Sequence, residues 1–156
     1  FSPTSRYVGN VPGNTRLGIP PIALEDGPQG VADGVRAQVA IFSFIVNDGL
    51  LLIPLFSSLF LVSQKTCFPS TMTVAAAWNA SLMQEYGAAL GYEQRRKGTN
   101  VMLGPGVCLL RVPTGGRNFE YLSEDPYLAA RLAKPLVQGI QSQHVIACAK
   151  VFFFFF

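Results

Sequence analysis

The sequence predicts an α/β fold built from parallel βαβ units. Three short, mainly apolar runs of strand length alternate with two longer segments that show helical spacing. Strands that alternate with helices favour a parallel sheet, because each helix carries the chain back to the same end of the sheet. At 156 residues the chain is long enough for one domain with a sizeable core.

The predicted strands are short and follow an N-terminal loop. Residues 6–18 are rich in glycine, proline and asparagine and predict that loop. The first strand covers residues 22–24 and ends at the turn sequence Glu25-Asp26-Gly27-Pro28. The other two strands are predicted over residues 100–103 and 145–149.

Residues 79–97 predict the first helix. Asn79 begins the sequon Asn79-Ala80-Ser81, but its place just before the helix favours an N-cap over a glycosylation site. The basic run 95–97 before Gly98 is typical of a cationic last turn and a glycine stop. Three- and four-residue spacing predicts the inward face, which comprises Leu82, Tyr86, Ala89, Leu90 and Glu93.

Residues 123–141 predict the second helix. Ser123 is its predicted N-cap, residues 124 and 125 form an acidic first turn, and Pro126 is tolerated there. Pro135 lies well inside this segment and should kink or interrupt the helix.

Composition excludes several classes of function. The net charge of +3 is too small to indicate a nucleic-acid partner. The three cysteines have no CxxC spacing, so we expect small buried apolar side chains rather than disulfides or a zinc site. His144 is the single histidine, which excludes a histidine-based triad or a histidine-rich metal site within this chain. No metal and no cofactor are expected.

One apolar segment does not fit the α/β pattern. Residues 39–62 are long enough to span a bilayer, which needs about 20 residues. Asn47, Asp48 and Pro54 lie inside this segment and weaken the membrane interpretation. The chain also begins at Phe1 without a signal layout and is expected to be a fragment or a processed product.

The chain ends in five consecutive phenylalanines, a composition that promotes aggregation. The codons for Phe, Leu, Ser, Pro and Ile can be pyrimidine-rich, as the 3′ ends of introns are. We hypothesise that residues 36–64 are a translated intron and that Val151 onward is read-through into another. A true membrane segment and a genuine buried insertion are the alternatives for residues 36–64.

Without residues 36–64, the chain contains LEDGPQGVADGV, TCFPSTMTVAAAWN, YGAALGYEQRRKGTNVMLGPGV, RVPTGGRNFEYLSEDPYL and GIQSQHVIACAK. This series resembles the N-terminal part of the catalytic barrel of family-3 glycoside hydrolases, most closely the β-glucosidases. The resemblance covers residues 1–35 and 65–150, and leaves the hydrophobic insert 36–64 and the Phe-rich tail 151–156 outside the family pattern. It implies the N-terminal portion of a TIM-like (β/α)₈ barrel.

The resemblance also implies a sugar-binding site. Asp26, Arg117 and Lys150 match family residues that hydrogen-bond the sugar hydroxyls, while Arg111 and Glu120 match supporting positions. From the residues alone, Asp26 could be a turn aspartate, Arg117 could pair with Glu120 or Glu124, and Lys150 could be a solvated lysine at a strand end.

Some family features have no match here. The family histidine after the lysine is Val151, and no Ser-Asp-Trp-type nucleophile motif occurs, since Trp78 is followed by Asn79. The acid/base carboxylate usually comes from a later domain. Glu25 with Asp26, or residue 120 with residue 124, could be proposed as the missing catalytic pair. Carboxylates that are adjacent in sequence, or at helical spacing and flanking an arginine, are more often structural. No catalytic residue is therefore expected in this chain.

We accordingly expect the full family product to hydrolyse terminal β-D-glucosyl residues with retention, and this chain alone to be inactive. A β-glucoside or oligosaccharide is the expected partner, with no nucleic acid, and open sheet edges should promote aggregation or self-association. The alternatives are a non-catalytic carbohydrate-binding remnant and a membrane-associated protein that uses residues 39–62. Many family members suggest secretion, although no signal peptide is present in this sequence.

Overall fold

The computed structural model describes residues 7–31 and 66–151. Within these ranges there are four strands, Gly9–Val11 (β1), Ile22–Asp26 (β2), Val101–Leu103 (β3) and Ile146–Ala147 (β4), and three α-helices, Thr71–Ala75 (α1), Ala80–Arg96 (α2) and Pro126–Ser142 (α3). The insert 36–64, the membrane interpretation of residues 39–62 and the phenylalanine tail lie outside the described residues. Of the helices that are described, none has the length and apolarity needed to cross a bilayer.

The strands form one sheet in the order β1-β2-β3-β4. β2 pairs parallel with β3, with Asp26 opposite Leu103, and β3 pairs parallel with β4, with Val101 opposite Ile146. The prediction of parallel βαβ units is therefore confirmed, with α1 and α2 lying between β2 and β3, and α3 lying between β3 and β4.

Two local predictions near the N-terminus were wrong. The region predicted as a loop contains β1, which pairs antiparallel with β2 and places Gly9 opposite Leu24. β2 itself extends two residues further than predicted, through Glu25 to Asp26. An edge strand needs a partner on one side only, so a glycine- and proline-rich composition does not exclude it.

The ends of α2 agree with the predicted signals. The Asn79 side chain accepts hydrogen bonds from the backbone N–H groups of Ser81 at 2.9 Å and Leu82 at 3.1 Å, so Asn79 is the N-cap. At the other end Gly98 has φ of +87°, the left-handed conformation that glycine adopts readily. Lys97 in the last turn forms a 3.0 Å ion pair with Glu93.

The predicted inward face of α2 needs correction. Leu82 is 41% exposed and Ala89 is also exposed, whereas Tyr86 and Leu90 are buried as predicted. The helix is rotated so that small and polar positions face inward, and the buried set is Met83, Tyr86, Gly87, Leu90, Gly91 and Gln94. Apolar spacing does not detect this face, because two of its positions are glycines and one is an amide.

The start of α3 also differs from the prediction. Asp125 is the N-cap and accepts from the N–H groups of Tyr127 and Leu128, while the Ser123 hydroxyl accepts from the Asp125 N–H at 3.0 Å. Pro135 does not interrupt the helix, which runs to Ser142. Proline removes the N–H that would bond the carbonyl of residue 131, and that residue is exposed, so water can satisfy the carbonyl.

The core lies between α2, α3 and the sheet. Its fully buried members include Met83, Leu90, Met102, Leu136 and Ile140. The prediction that the cysteines are buried was wrong, because Cys67 and Cys148 are exposed and Cys108 is half-buried. Cysteine resembles a small apolar residue by composition, but these three lie in loops outside the packed helices.

Close contact between α2 and α3 depends on glycine. A Cβ at Gly139 would overlap the Gln84 carbonyl and lie 2.8 Å from the Ala88 nitrogen. A Cβ at Gly87 would overlap the Leu136 carbonyl, and one at Gly91 would lie 2.7 Å from the Ile140 carbonyl. The two backbones can therefore approach each other only where these side chains are missing.

We expect Gly139→Ala to lower the free energy of unfolding by about 1–3 kcal/mol, because the helices must move apart to admit the methyl group. Urea denaturation monitored by circular dichroism measures this change. Gly116→Ala is the matched control, since a Cβ at Gly116 meets nothing within 4 Å. Equal stabilities of the two variants would contradict the proposed close contact.

Candidate functional site

Parallel strands bring their carboxyl ends to one edge of the sheet, and the candidate site lies there. Asp26 is the last residue of β2. Lys150 follows β4 and forms a parallel bridge with Gly106, in which its N–H donates to the Pro105 carbonyl at 2.9 Å and its carbonyl accepts from the Val107 N–H at 3.0 Å. These backbone bonds hold Lys150 beside the end of β3.

Arg117 lies on the loop that follows β3. The Asn118 side chain donates to the Val112 carbonyl at 2.9 Å and closes this loop. A 3₁₀ turn over Asn118–Glu120 follows, and the Glu120 N–H donates to the Arg117 carbonyl at 3.0 Å. Gly106 permits the loop to pack on the strand end, because a Cβ there would lie 2.9 Å from the Glu120 carbonyl.

Four charged side chains meet at this edge. Glu120 accepts from Arg117 at 2.8 Å and 3.0 Å, through Nε and Nη2, in a bidentate pair. Lys150 Nζ lies 3.0 Å from the Glu120 carboxylate and 3.9 Å from that of Asp26. The Glu120 side chain is 9% exposed and that of Asp26 is 43% exposed. Glu120 is therefore enclosed by its partners, while Asp26 offers its carboxylate to solvent.

The buried carboxylate of Glu120 stays ionised because of its partners. Burial alone would raise its pKa, but the hydrogen bonds from Arg117 and Lys150, with their positive charges, lower the pKa below 4.5. The hydrogen bond from Arg117 to Glu120 raises the pKa of the guanidinium in return. Both oxygens of Glu120 are thus already used as acceptors, so Glu120 is poorly suited to exchange protons with a ligand.

An open cavity of about 330 Å³ lies at this edge, within the size range of small-molecule sites. The cavity brings together Asp26, Arg117, Lys150 and Glu120, which were predicted as site residues. Arg111 does not reach it and instead lines an adjoining cavity of about 150 Å³ that Arg117 also borders.

Two further cavity residues were not singled out from the sequence. Gln29 follows the Gly27-Pro28 turn, and its side chain lies 3.5 Å from the Phe119 carbonyl. Phe119 is 42% exposed at the same cavity. The sequence could have pointed to Phe119, because it stands between the predicted site residues Arg117 and Glu120.

The arrangement suits a neutral ligand with many hydroxyl groups. Asp26 can accept hydrogen bonds, and Arg117 and Lys150 can donate them. Glu25 is fully buried and adjacent to Asp26 in a strand, where successive side chains point to opposite faces, so the two carboxylates do not share a site. Glu124 is exposed and does not line the cavity. Among the residues with described positions, no group of three or more metal-ligating side chains is found.

The family model for the glycosyl hydrolase family 3 N-terminal domain matches residues 58–154. The chain belongs to this family. The matched range contains β3, β4, Arg117, Glu120 and Lys150, and it begins within the predicted insert.

Curated relatives include β-glucosidase BoGH3A of Bacteroides ovatus, which is 41% identical over 139 residues, covering 89% of this chain and 17% of that protein. Thermostable β-glucosidase B of Acetivibrio thermocellus is 42% identical over 137 residues, covering 88% of this chain and 16% of that protein. The chain thus spans about a sixth of the length of these relatives.

Solved structures show the same similarity. β-Glucosidase 3B of Thermotoga neapolitana, in complex with α-D-glucose, superposes with a TM-score of 0.72 at 34% identity, covering 96% of this chain and 18% of that one. A β-glucosidase of Streptomyces venezuelae in complex with D-glucose has a TM-score of 0.71 at 30% identity, covering 92% of this chain and 15% of that one. The mixed α/β fold described above therefore matches the N-terminal, TIM-like domain of the family.

We expect Glu120→Gln to lower the free energy of unfolding by about 1 kcal/mol at pH 7. The expected loss is smaller than for a fully buried ion pair, because a third of the Arg117 side chain is exposed and solvent screens the interaction. Because its folded pKa is depressed, Glu120 contributes stability above pH 4.5, and this contribution is lost as the pH falls through the folded pKa. Urea denaturation at pH 7 and pH 3 measures this. The difference between wild type and variant should shrink at pH 3, and a constant difference would contradict the ionic role of Glu120. Glu85→Gln, at an exposed position of α2, is the control.

Proposed function

We propose that this chain supplies part of the sugar-binding site of a glycoside hydrolase that acts on β-glucosides. The observation that carries the proposal is the meeting of Asp26, Arg117 and Lys150 around one cavity from three separate segments of the chain. The names of the curated relatives and the glucose in two of the solved relatives support the substrate class.

Each side chain has a separate role in the proposed site. The exposed carboxylate of Asp26 accepts hydrogen bonds from two sugar hydroxyls, and such charge-assisted bonds are strong. Arg117 and Lys150 donate to the same sugar, with their direction set by Glu120 between them. Arg111 supports the loop from the adjoining cavity. The sugar is thus held by one acceptor and two donors before any bond is broken.

Hydrolysis itself belongs, in this proposal, to a longer family product. Retaining hydrolysis requires two carboxyl groups about 5–5.5 Å apart, one as nucleophile and one as acid and base. At the cavity, Asp26 is assigned to binding and Glu120 is held by two cations. The 156-residue chain is therefore proposed to be inactive when isolated.

Purified 156-residue chain should release no more aryl alcohol from an aryl β-glucoside than a buffer blank, because at the described cavity Asp26 is assigned to binding and Glu120 is held by two cations. A colorimetric assay measures this release, and a complete family β-glucosidase is the positive control. Turnover well above the blank would contradict the proposed inactivity.

A non-catalytic carbohydrate-binding remnant is the second candidate, favoured by the exposed carboxylate of Asp26 at the cavity. Isothermal titration of the chain with glucose distinguishes this candidate from the proposed partial hydrolase site. We expect no measurable heat from an open portion of a barrel, whereas binding that Asp26→Asn abolishes would favour the remnant.

The domain assignment is likewise a proposal. Residues 1–35 and 65–150 form the partial family domain, residues 36–64 are a translated intron, and residues 151–156 are an aberrant tail. Both atypical segments are rich in apolar residues, and the codons for Phe, Leu, Ser, Pro and Ile can be pyrimidine-rich, which supports the assignment. A sequenced cDNA should lack the codons for residues 36–64 and continue in frame beyond Lys150 to a Ser-Asp-Trp-type aspartate. A mature transcript that still encodes both segments would contradict it.

A further inference from the structure

Gln94 is a fully buried amide on α2 that lies beneath the carboxyl end of β2. Its Nε2 donates to the Asp26 carbonyl oxygen at 3.2 Å. Its Oε1 accepts from the Thr99 hydroxyl at 2.6 Å, and the Gln94 main-chain carbonyl lies 2.7 Å from the same hydroxyl. Thr99 is 1% exposed, so the amide is fixed at both ends inside the core.

The chain around Asp26 is shaped to receive this amide. Gly27 follows directly, and a Cβ there would overlap Gln94 Nε2 and lie 3.1 Å from Met102 Cγ. The absence of a side chain at residue 27 lets the Gln94 amide reach the main chain where β2 ends. Gln94 and Gly27 therefore fit each other at the residue whose carboxylate faces the cavity.

The next residues of the same loop are held in a similar way. The Pro28 carbonyl accepts from the Thr71 hydroxyl at 3.0 Å and lies 3.2 Å from the Tyr86 hydroxyl. Burial raises the pKa of Tyr86 to about 12, against a smaller opposing effect of the hydrogen bond with Thr71, so the phenol keeps its proton. Side chains of α1 and α2 thus hold the main-chain carbonyls on both sides of Gly27.

We propose that Gln94 is a positioning residue that holds the Asp26 main chain so that the Asp26 carboxylate faces Lys150 and the cavity. This role rests on the proposed function of Asp26 in sugar binding. An amide suits the position because it donates to the Asp26 carbonyl and accepts from Thr99 at the same time. A leucine at residue 94 would leave the Asp26 carbonyl and the Thr99 hydroxyl without the side-chain amide as a hydrogen-bond partner. A glutamate would lack the N–H group that donates to the Asp26 carbonyl.

Zero-length carbodiimide cross-linking of the full 156-residue chain tests the proposal. Lys150 can be joined to Asp26, which is 3.9 Å away, or to Glu120, which is 3.0 Å away. Mass spectrometry of the digested chain gives the ratio of the two cross-linked products. Because both products use the same lysine in the same molecule, the ratio reports the placement of Asp26 rather than the fraction of folded protein.

We expect Gln94→Leu to lower the Lys150–Asp26 product about threefold relative to the Lys150–Glu120 product, since a displacement of about 1 Å strongly reduces reaction between positioned groups. Gln84→Leu makes the same chemical change on the exposed side of α2 and should leave the ratio unchanged. A wild-type ratio in folded Gln94→Leu would overturn the proposal.

A second pair of variants keeps the test decisive if Gln94→Leu does not fold. Thr99→Val removes the hydroxyl that fixes the Gln94 amide, and Thr99→Ser retains it. A lower ratio in Thr99→Val with a wild-type ratio in Thr99→Ser supports the proposal, and equal ratios in both overturn it.

The cross-linking measurement involves no sugar, so it is independent of the proposed function. In a longer family product that contains this chain, Asp26→Asn should raise the KM for an aryl β-glucoside. An unchanged KM alongside a Gln94-dependent ratio would overturn the sugar-binding role of Asp26 while leaving the placement of its main chain by Gln94 supported.

Discussion

Parallel pairing of β2, β3 and β4 is the constraint on which the rest of the described structure depends. Parallel neighbours require a connection that returns over the sheet, and α2 and α3 lie within these connections. The helices can both cover this short sheet because their backbones approach closely at Gly87, Gly91 and Gly139. The same pairing places Asp26 and Lys150 at one edge, so the geometry of the cavity follows from the direction of the strands.

Features set by nearby residues were predictable from the sequence. The Asn79 cap and the Gly98 stop of α2 depend on contacts within a few positions along the chain. The alternation of strands and helices was sufficient for the parallel sheet. Asp26 and Lys150 each follow a predicted strand, so the parallel sheet alone predicts both at one edge. The assignment of Asp26, Arg117 and Lys150 to one sugar site came from the family resemblance, because Arg117 lies in a long loop that no strand pattern places.

Features set by distant residues were not predictable. The buried face of α2 is rotated because α3 approaches it at glycines, which an apolar pattern does not register. The burial of Gln94 depends on the Asp26 carbonyl, which lies 68 positions away in sequence. Ser123 and Asp125 are both good N-cap residues, and the choice between them depends on where the preceding loop turns. Propensity alone therefore could not resolve these positions.

The bidentate contact of Glu120 with Arg117, together with its contact with Lys150, has a consequence for ligand charge. The guanidinium and the ammonium already have an internal counter-ion, which weakens their attraction for a phosphate or a carboxylate outside the protein. Their remaining N–H groups can still donate to uncharged oxygens. The cluster of Asp26, Glu120, Arg117 and Lys150 therefore holds its positive charges in internal ion pairs, an arrangement that suits uncharged hydroxyl groups better than anions.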